Sequence, residues 1–588
     1  MVNPGNTDHG RLRTRWRRFL EAQSLRMAHV DALPQLSLMG VVAGLLSGGV
    51  IIAFRWVIEV GAPLLSPMEN SDAFESIEPH WRLAIAVSGG LIVGLLFHFT
   101  RRDVRQVGVV HVIERLNYHQ GHMPLRNALM QFVGAALSIV CGHSVGREGP
   151  SIHLGATSGS LLGRKLGLPN NSVRTLVGCG VAAAIAAGFN TPLAGVVFAM
   201  EVVLMEYTIV GFVPIILAAV SATAATRLVF GEHVLFFVSV HEWNTLDEFL
   251  YALFLGIVIG ILAATFIRLT LWVQSSTRSV AIWIRLLTAG AIVGLIAIPA
   301  PEVMGIGYDT VNTALLGELA LFTLAMVAAA KLLATAACIG LGSPGGLIGP
   351  TLLIGASVGG AVGSLIIQIS EAQISSGTYA MLGMGAMMAA TLQAPLAALL
   401  ALLELTANPN LIMPGMTAVI SAVLVTRVVF GCSSIYQLIL QSRGLDIHSD
   451  PLSQSLRRVG IVRAMDRNFS RSSRIVSSDD AEALLHTSPN WIVIADKDKT
   501  VALLPAADLA HYLGENPEQR EIDLMEIPAK RQDLSRTDVQ ASLQDALELL
   551  NDSGKQALYV TGARGSGLDR IYGVLTREHI ELSYRMKS

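Results

Sequence analysis

The chain has 588 residues, of which 52% are hydrophobic and only 15% charged, and its mean hydropathy is +0.54. A soluble chain of this length carries about 25% charged residues, so an ordinary soluble globule is excluded and a polytopic membrane protein is implied. The net charge of −2, from 42 basic and 44 acidic residues, points to no particular partner.

Five arginines (Arg11, Arg13, Arg15, Arg17 and Arg18) precede the first apolar run, with no signal-peptide core before them. The positive-inside rule then places this basic segment, residues 1–33, in the cytoplasm, and no nucleic-acid partner is expected for it. Apolar runs follow at Leu36 to Phe54, Leu83 to Phe99, Phe249 to Ile267, Leu286 to Ala300, Ala320 to Ala330 and Leu411 to Val429. Some reach the roughly 20 residues that a spanning helix needs and others fall short. Many hold Gly or Pro, which predicts tilted, partial and re-entrant helices buried against protein. Cys141, Cys179, Cys338 and Cys432 lie in or beside these runs without metal-ligand spacing. They read as small buried side chains, and no metal is expected.

From about Ile447 the chain turns polar, with strand-like runs at Trp491 to Ala495 and Ala557 to Val560 and an amphipathic helix over Val539 to Leu550. No span follows, so 447–588 is expected to be a soluble domain, itself duplicated.

A Gly-rich module occurs twice. GPSIHLGATSG begins at Gly149 and GPTLLIGASVG at Gly349, with Pro150, Gly155, Ala156 and Gly159 each matched 200 residues later. TPLAGVVFAMEV (Thr191 to Val202) matches APLAALLALLEL (Ala394 to Leu405), pairing Glu201 with Glu404. Such repeats mark transporters and channels built from two halves, here about 34–230 and 249–430, with the ion site where the halves meet. Gly146-Arg147-Glu148-Gly149-Pro150 puts a charged pair at a helix start, a costly arrangement at membrane depth unless it serves a function. The free N–H groups of a helix start attract anions, and the Glu148 carboxylate can itself occupy that place. Protonation would remove its charge and let it swing away, making one residue both gate and proton carrier. A second start, Gly345-Gly346-Leu347-Ile348-Gly349-Pro350, can face the same site from the other half.

GREGP, GGLIGP, the paired Pro-Leu-Ala segments and Tyr436 in CSSIYQLIL resemble the CLC family of chloride channels and chloride/proton antiporters over roughly residues 34–445. The tail is similar to the CBS pairs of many members. The resemblance implies an all-α membrane domain of two inverted-topology repeats (34–446), a cytoplasmic α/β CBS pair (447–588), both termini cytoplasmic, and a homodimer with one pore per subunit in a bacterial inner membrane. It makes Glu148 the gating glutamate and places Gly146, Arg147 and Gly149 in the anion-binding loop. Leu347 and Ile348 supply backbone N–H groups to the central anion, and the Tyr436 hydroxyl closes the inner side. The expected partners are chloride or a related anion, possible protons, and membrane lipid.

Two departures stand out. The family's GSGIP aligns with Gln106-Val107-Gly108-Val109-Val110, so Val107 replaces a serine that contacts the anion. It matches neither the proline of nitrate-preferring relatives nor the methionine of fluoride exporters. Val202 replaces the inner proton glutamate, which favours channel-like or weakly coupled transport over a coupled antiporter. Glu206, one turn beyond, is a substitute point of proton access. CBS pairs bind adenine nucleotides through a terminal Asp. The second module has His579 there and the first keeps Asp508, but with Pro505 in place of Thr, so a structural tail without cofactor is the expectation. His143 and His153 read as satisfied interior histidines, Lys331 as a snorkelling or carboxylate-paired side chain, and Glu404 as structural. An intramembrane enzyme using Ser144, His143 and Glu148, and a membrane sensor with CBS output, are the rival readings. No orienting third group supports the former.

Overall fold

The computed structural model describes residues 33–65, 74–207, 209–231, 236, 246–370, 375–445, 451–457, 459–496, 499–562 and 571–585. The N-terminal arginines lie outside them. Two compact units emerge among the described residues, one within 36–162 and 174–447, the other within 448–588 together with 163–173.

The first half holds α1 (Leu33–Leu65), α2 (Pro79–Phe99), α3 (Gly108–Tyr118), α4 (Leu125–Val140), α5 (Glu148–Lys165), α6 (Asn170–Phe189), α7 (Pro192–Leu204) and α8 (Ile209–Phe230). Their mates follow in the same order: α9 (Leu246–Ser276), α10 (Ile282–Ile296), α11 (Tyr308–Leu316), α12 (Leu321–Leu341), α13 (Ile348–Ser370), α14 (Ser376–Leu392), α15 (Pro395–Thr406) and α16 (Ile412–Leu424). The halves are inverted repeats. Among the described residues eight helices are long and apolar enough to cross a membrane, whereas α4, α7, α10 and α15 are shorter. At 1.5 Å per residue α3 and α11, of 11 and 9 residues, reach only about half-way across a bilayer core.

Sequence explains both the breaks and the packing. Pro192 and Pro395 open α7 and α15 at the first helical turn, where a missing N–H costs nothing. Glycines let the paired helices touch backbone to backbone: a Cβ on Gly155 would lie 2.2 Å from the Gly180 carbonyl, and one on Gly355 2.3 Å from that of Gly383. The repeat-related glutamates cap each other's half. Glu404 accepts from the N–H groups of Leu193 and Ala194 at 2.9 and 2.8 Å, and Glu201 from those of Leu396 and Ala397 at 3.3 and 2.7 Å. Each carboxylate thus satisfies orphan donors at a helix start, as expected for a structural Glu404. Of the two readings of Lys331, burial rules out snorkelling. The side chain is fully buried, and its Nζ donates to the carbonyls of Val303 and Gly305 at 3.0 and 2.9 Å.

After α17 (Ile435–Ser442) and α18 (Pro451–Arg457), the tail runs β1 (Phe469–Ser473), β2 (Ile475–Ser477), α19 (Ser478–Leu485), β3 (Trp491–Asp496), β4 (Lys499–Pro505), α20 (Ala506–Glu515), β5 (Glu521–Asp523), β6 (Gln532–Asp538), α21 (Leu543–Ser553), β7 (Ala557–Thr561), β8 (Ile571–Thr576) and α22 (Arg577–Arg585). The duplication expected of a CBS pair is visible in the pairing: β1 lies parallel to β3 and β3 antiparallel to β4, as β6 lies to β7 and β7 to β8. Antiparallel β4 and β6 join the modules into one sheet of order β1-β3-β4-β6-β7-β8. The helix expected from Val539 starts instead at Leu543, because Ser542 and Asp545 form a reciprocal capping box.

Candidate functional site

The two Gly-rich loops meet head to head. Gly146 N–H donates to the Gly346 carbonyl at 2.7 Å and Gly346 N–H to the Gly146 carbonyl at 2.6 Å, an antiparallel bridge between the halves. Only residues without a Cβ allow this approach: a methyl on Gly149 would sit 2.7 Å from Gly346 Cα, and one on Gly346 2.6 Å from Gly149 N. Helices α5 and α13 therefore start side by side from one buried point. The first N–H groups of α13, at Ile348 and Gly349, have no partner within their own helix. Glu148 fills that place. Its side chain is 3% exposed, and Oε2 accepts from Gly349 N–H at 3.1 Å. An anion-shaped group from one half thus occupies the helix start of the other.

Five further side chains complete the surroundings. Tyr436, near the start of α17, is buried, and among the described residues its hydroxyl meets no hydrogen-bond partner. Val107 is the N-cap of α3, offers no side-chain cap, and packs against the cluster of Val93, Phe97, Met130 and Leu286. The start of α3 is held by Gln131 of α4, which accepts from Gly108 N–H and donates to the Pro344 carbonyl, both at 2.6 Å. Gln131 thereby fixes α3 relative to the loop that leads into α13. Tyr308, first residue of α11, donates its hydroxyl to Glu148 Oε1. Arg147 lies over the Tyr308 ring, 5.3 Å from its centroid. Neither Gln131 nor Tyr308 was singled out from the sequence. A glutamine inside the apolar run of α4 was a usable signal for the first, whereas Tyr308 carries none.

Residues 89–427, more than half of the chain, match the voltage gated chloride channel family. A ClcB-like chloride channel protein of Ralstonia nicotianae is 34% identical over 61% of this chain and 85% of its own length. Chloride channel protein CLC-f of Arabidopsis thaliana is 29% identical over 82% of this chain and 69% of its own. Among solved structures, a slow cyanobacterial Cl−/H+ antiporter aligns with a TM-score of 0.62 at 26% identity, over 70% of this chain and 98% of that one. A eukaryotic CLC transporter covers 94% of this chain and 99% of its own, with a TM-score of 0.59 at 19% identity, a likeness of fold. The chain belongs to the CLC family. It is an integral, multi-pass membrane protein that carries out CLC-type anion transport, and it is not an enzyme.

Several residues take their place within this CLC frame. Val202 is buried in the π-helical last turn of α7 and lines a cavity of about 110 Å³ together with Glu201, Arg427, Ser434 and Gln437. Glu206 is ion-paired with Arg174 at 3.3 Å, both side chains largely buried. His153 meets His111 through their ring nitrogens at 2.9 Å, and His143 Nε2 lies 3.1 Å from the Ala86 carbonyl. Ser144 Oγ pairs with Thr335 Oγ1 at 2.9 Å. His143 and Ser144 are thus each bonded elsewhere and form no nucleophile–base pair.

In the tail, His579 caps its own helix, its Nδ1 accepting from Thr576 N–H at 3.2 Å, and its ring packs edge-on against Trp491. Asp508 accepts from Lys530 N–H at 2.9 Å. Both side chains thus make their contacts within the tail. Among the described residues no group of His, Cys, Asp and Glu has the arrangement of a metal site.

Proposed function

We propose that this CLC protein moves chloride or a similar small anion along a path gated by Glu148, in a channel-like or weakly proton-coupled manner. The observation that carries the reading is the Glu148 carboxylate bonded to Gly349 N–H at the head-to-head helix starts. A carboxylate held there competes with chloride for the same donors. Protonation weakens that hold by removing its charge, and the vacated N–H groups of Ile348 and Gly349, with Leu347 before them, receive the anion. Gly146, Arg147 and Gly149 shape the loop, the Tyr436 hydroxyl supplies the inner donor, and Val107 supplies none. Backbone donors hold the ion weakly enough to release it, as conduction requires.

Weak proton coupling is supported by Val202, which cannot carry a proton, and by Glu206, which is held in an ion pair with Arg174 rather than standing free beside the path. The second reading, a coupled chloride/proton antiporter, draws on the likeness to the cyanobacterial Cl−/H+ antiporter. On either reading we take the protein to act as a lipid-embedded homodimer with a structural CBS tail that needs no nucleotide. Chloride efflux from liposomes tests the gate. Glu148→Gln should abolish the dependence of flux on pH, and a variant that keeps the wild-type pH profile would remove Glu148 from the mechanism.

A further inference from the structure

Inverted repeats invite a comparison of α3 with its mate α11. The start of α3 carries Val107 and Gly108, and its first N–H is bonded to Gln131. The start of α11 carries Gly307, in a left-handed conformation at φ +86°, and then Tyr308, which reaches across to Glu148. The half-site that lacks a hydroxyl at α3 is thus matched by a half-site that has one at α11. Tyr308 is also rigidly placed. It is buried, its ring lies 5.8 Å from that of Phe236 at 85° and 6.1 Å from that of Phe189, and the Arg147 guanidinium covers it. Edge-to-face and cation–π contacts of this kind fix the ring, and with it the direction of the O–H.

We infer that Tyr308 is the latch of the gate: a positioning residue whose hydroxyl holds Glu148 in the closed, anion-site-filling position. This rests on the reading of Glu148 as the gate. The two carboxylate oxygens are held by two donors from the second half, Gly349 N–H on Oε2 and Tyr308 O–H on Oε1. Gly349 N–H is the donor that the carboxylate and a chloride ion compete for. The Tyr308 bond belongs to the closed gate, so it biases the balance between closed and open without being part of the anion's path. Other ionisable groups around the carboxylate are Arg147 on its own loop, Tyr436 on α17 within electrostatic reach, the exposed Asp309 on α11, and Lys331 on α12. The Lys331 Nζ lies 3.4 Å from where a Gly307 Cβ would stand.

An O–H donor favours the ionised carboxylate over the protonated one. Without it Glu148 leaves its place at higher pH, and flux at neutral pH rises. Loss of a hydrogen bond to a charged group corresponds to a shift of about 1 to 2 pH units. The test uses the full-length protein in liposomes, with chloride efflux followed across a pH series for wild type, Tyr308→Phe, Glu148→Gln and the double variant. Tyr308→Phe keeps the ring and its packing, so only the donor is lost. The latch predicts an upward shift of the activation midpoint in Tyr308→Phe, and no further effect of that change when Glu148 is already glutamine. A wild-type midpoint in Tyr308→Phe, with Glu148→Gln flat in pH, would overturn the latch while leaving the gate intact. A Glu148→Gln protein that still responds to pH would instead refute the gate itself. An equal effect of Tyr308→Phe in both backgrounds would mark Tyr308 as a packing residue and also overturn the latch.

Discussion

Gly146→Ala opens the gate without touching its charge. A Cβ built on Gly146 falls 2.3 Å from Glu148 Oε2, against an ordinary contact of at least 3.4 Å. Its other neighbours, Gly349 N and Pro350 Cδ, lie at 3.1 Å and yield by a few tenths of an ångström. The flexible carboxylate is therefore what moves, by about 1 Å. A hydrogen bond already at 3.1 Å does not survive that displacement. Each bond to a charged group contributes about 1.5–3 kcal/mol, so losing those to Gly349 and Tyr308 costs the closed state about 3–6 kcal/mol. At 1.4 kcal/mol per tenfold, the closed-to-open ratio falls by about 10² to 10⁴. Chloride efflux from liposomes should then become nearly independent of pH although Glu148 is still present. The absolute rate would report how far the new methyl obstructs the anion. A Gly146→Ala protein with the wild-type pH profile would refute the argument, since the carboxylate could then not be where the Gly146 Cβ must go.

Val107→Ser should raise preference for chloride over nitrate by about fivefold in relative permeability, because a hydroxyl donor adds about 1 kcal/mol at the start of α3. Unchanged permeability ratios would show that position 107 does not face the anion. A chloride gradient across reconstituted membranes should drive no sustained proton pumping, and the reversal potential should track chloride alone. Stoichiometric uphill proton movement would favour the antiporter, and its loss in Glu206→Gln would assign the point of proton access.

The sequence made the architecture legible where a pattern repeated. GPSIHLGATSG and GPTLLIGASVG announced two equivalent helix starts, and the bridge between Gly146 and Gly346 is their meeting point. The pairing of Glu201 with Glu404 also carried over, as reciprocal caps across the halves. What escaped was set by tertiary contact rather than by local pattern. Helices α3 and α11 are too short to register as apolar runs, so Tyr308 stood in no recognisable element. Lys331 read as either snorkelling or paired with a carboxylate, because an apolar window cannot reveal that the carbonyls of Val303 and Gly305 converge on its ammonium. Glu206 sits one turn past Val202, but its partner Arg174 comes from a different helix and could not be read beside it.

The central claim is that an anion and the Glu148 carboxylate compete for the same helix-start donors. Bromide anomalous scattering from crystals of Glu148→Gln, compared with wild type, measures this most directly. The account predicts a bromide peak within hydrogen-bonding distance of Gly349 N in the variant, at the place the carboxylate takes in the wild type, where no peak should appear. Bromide at that point in both proteins, or in neither, would contradict it.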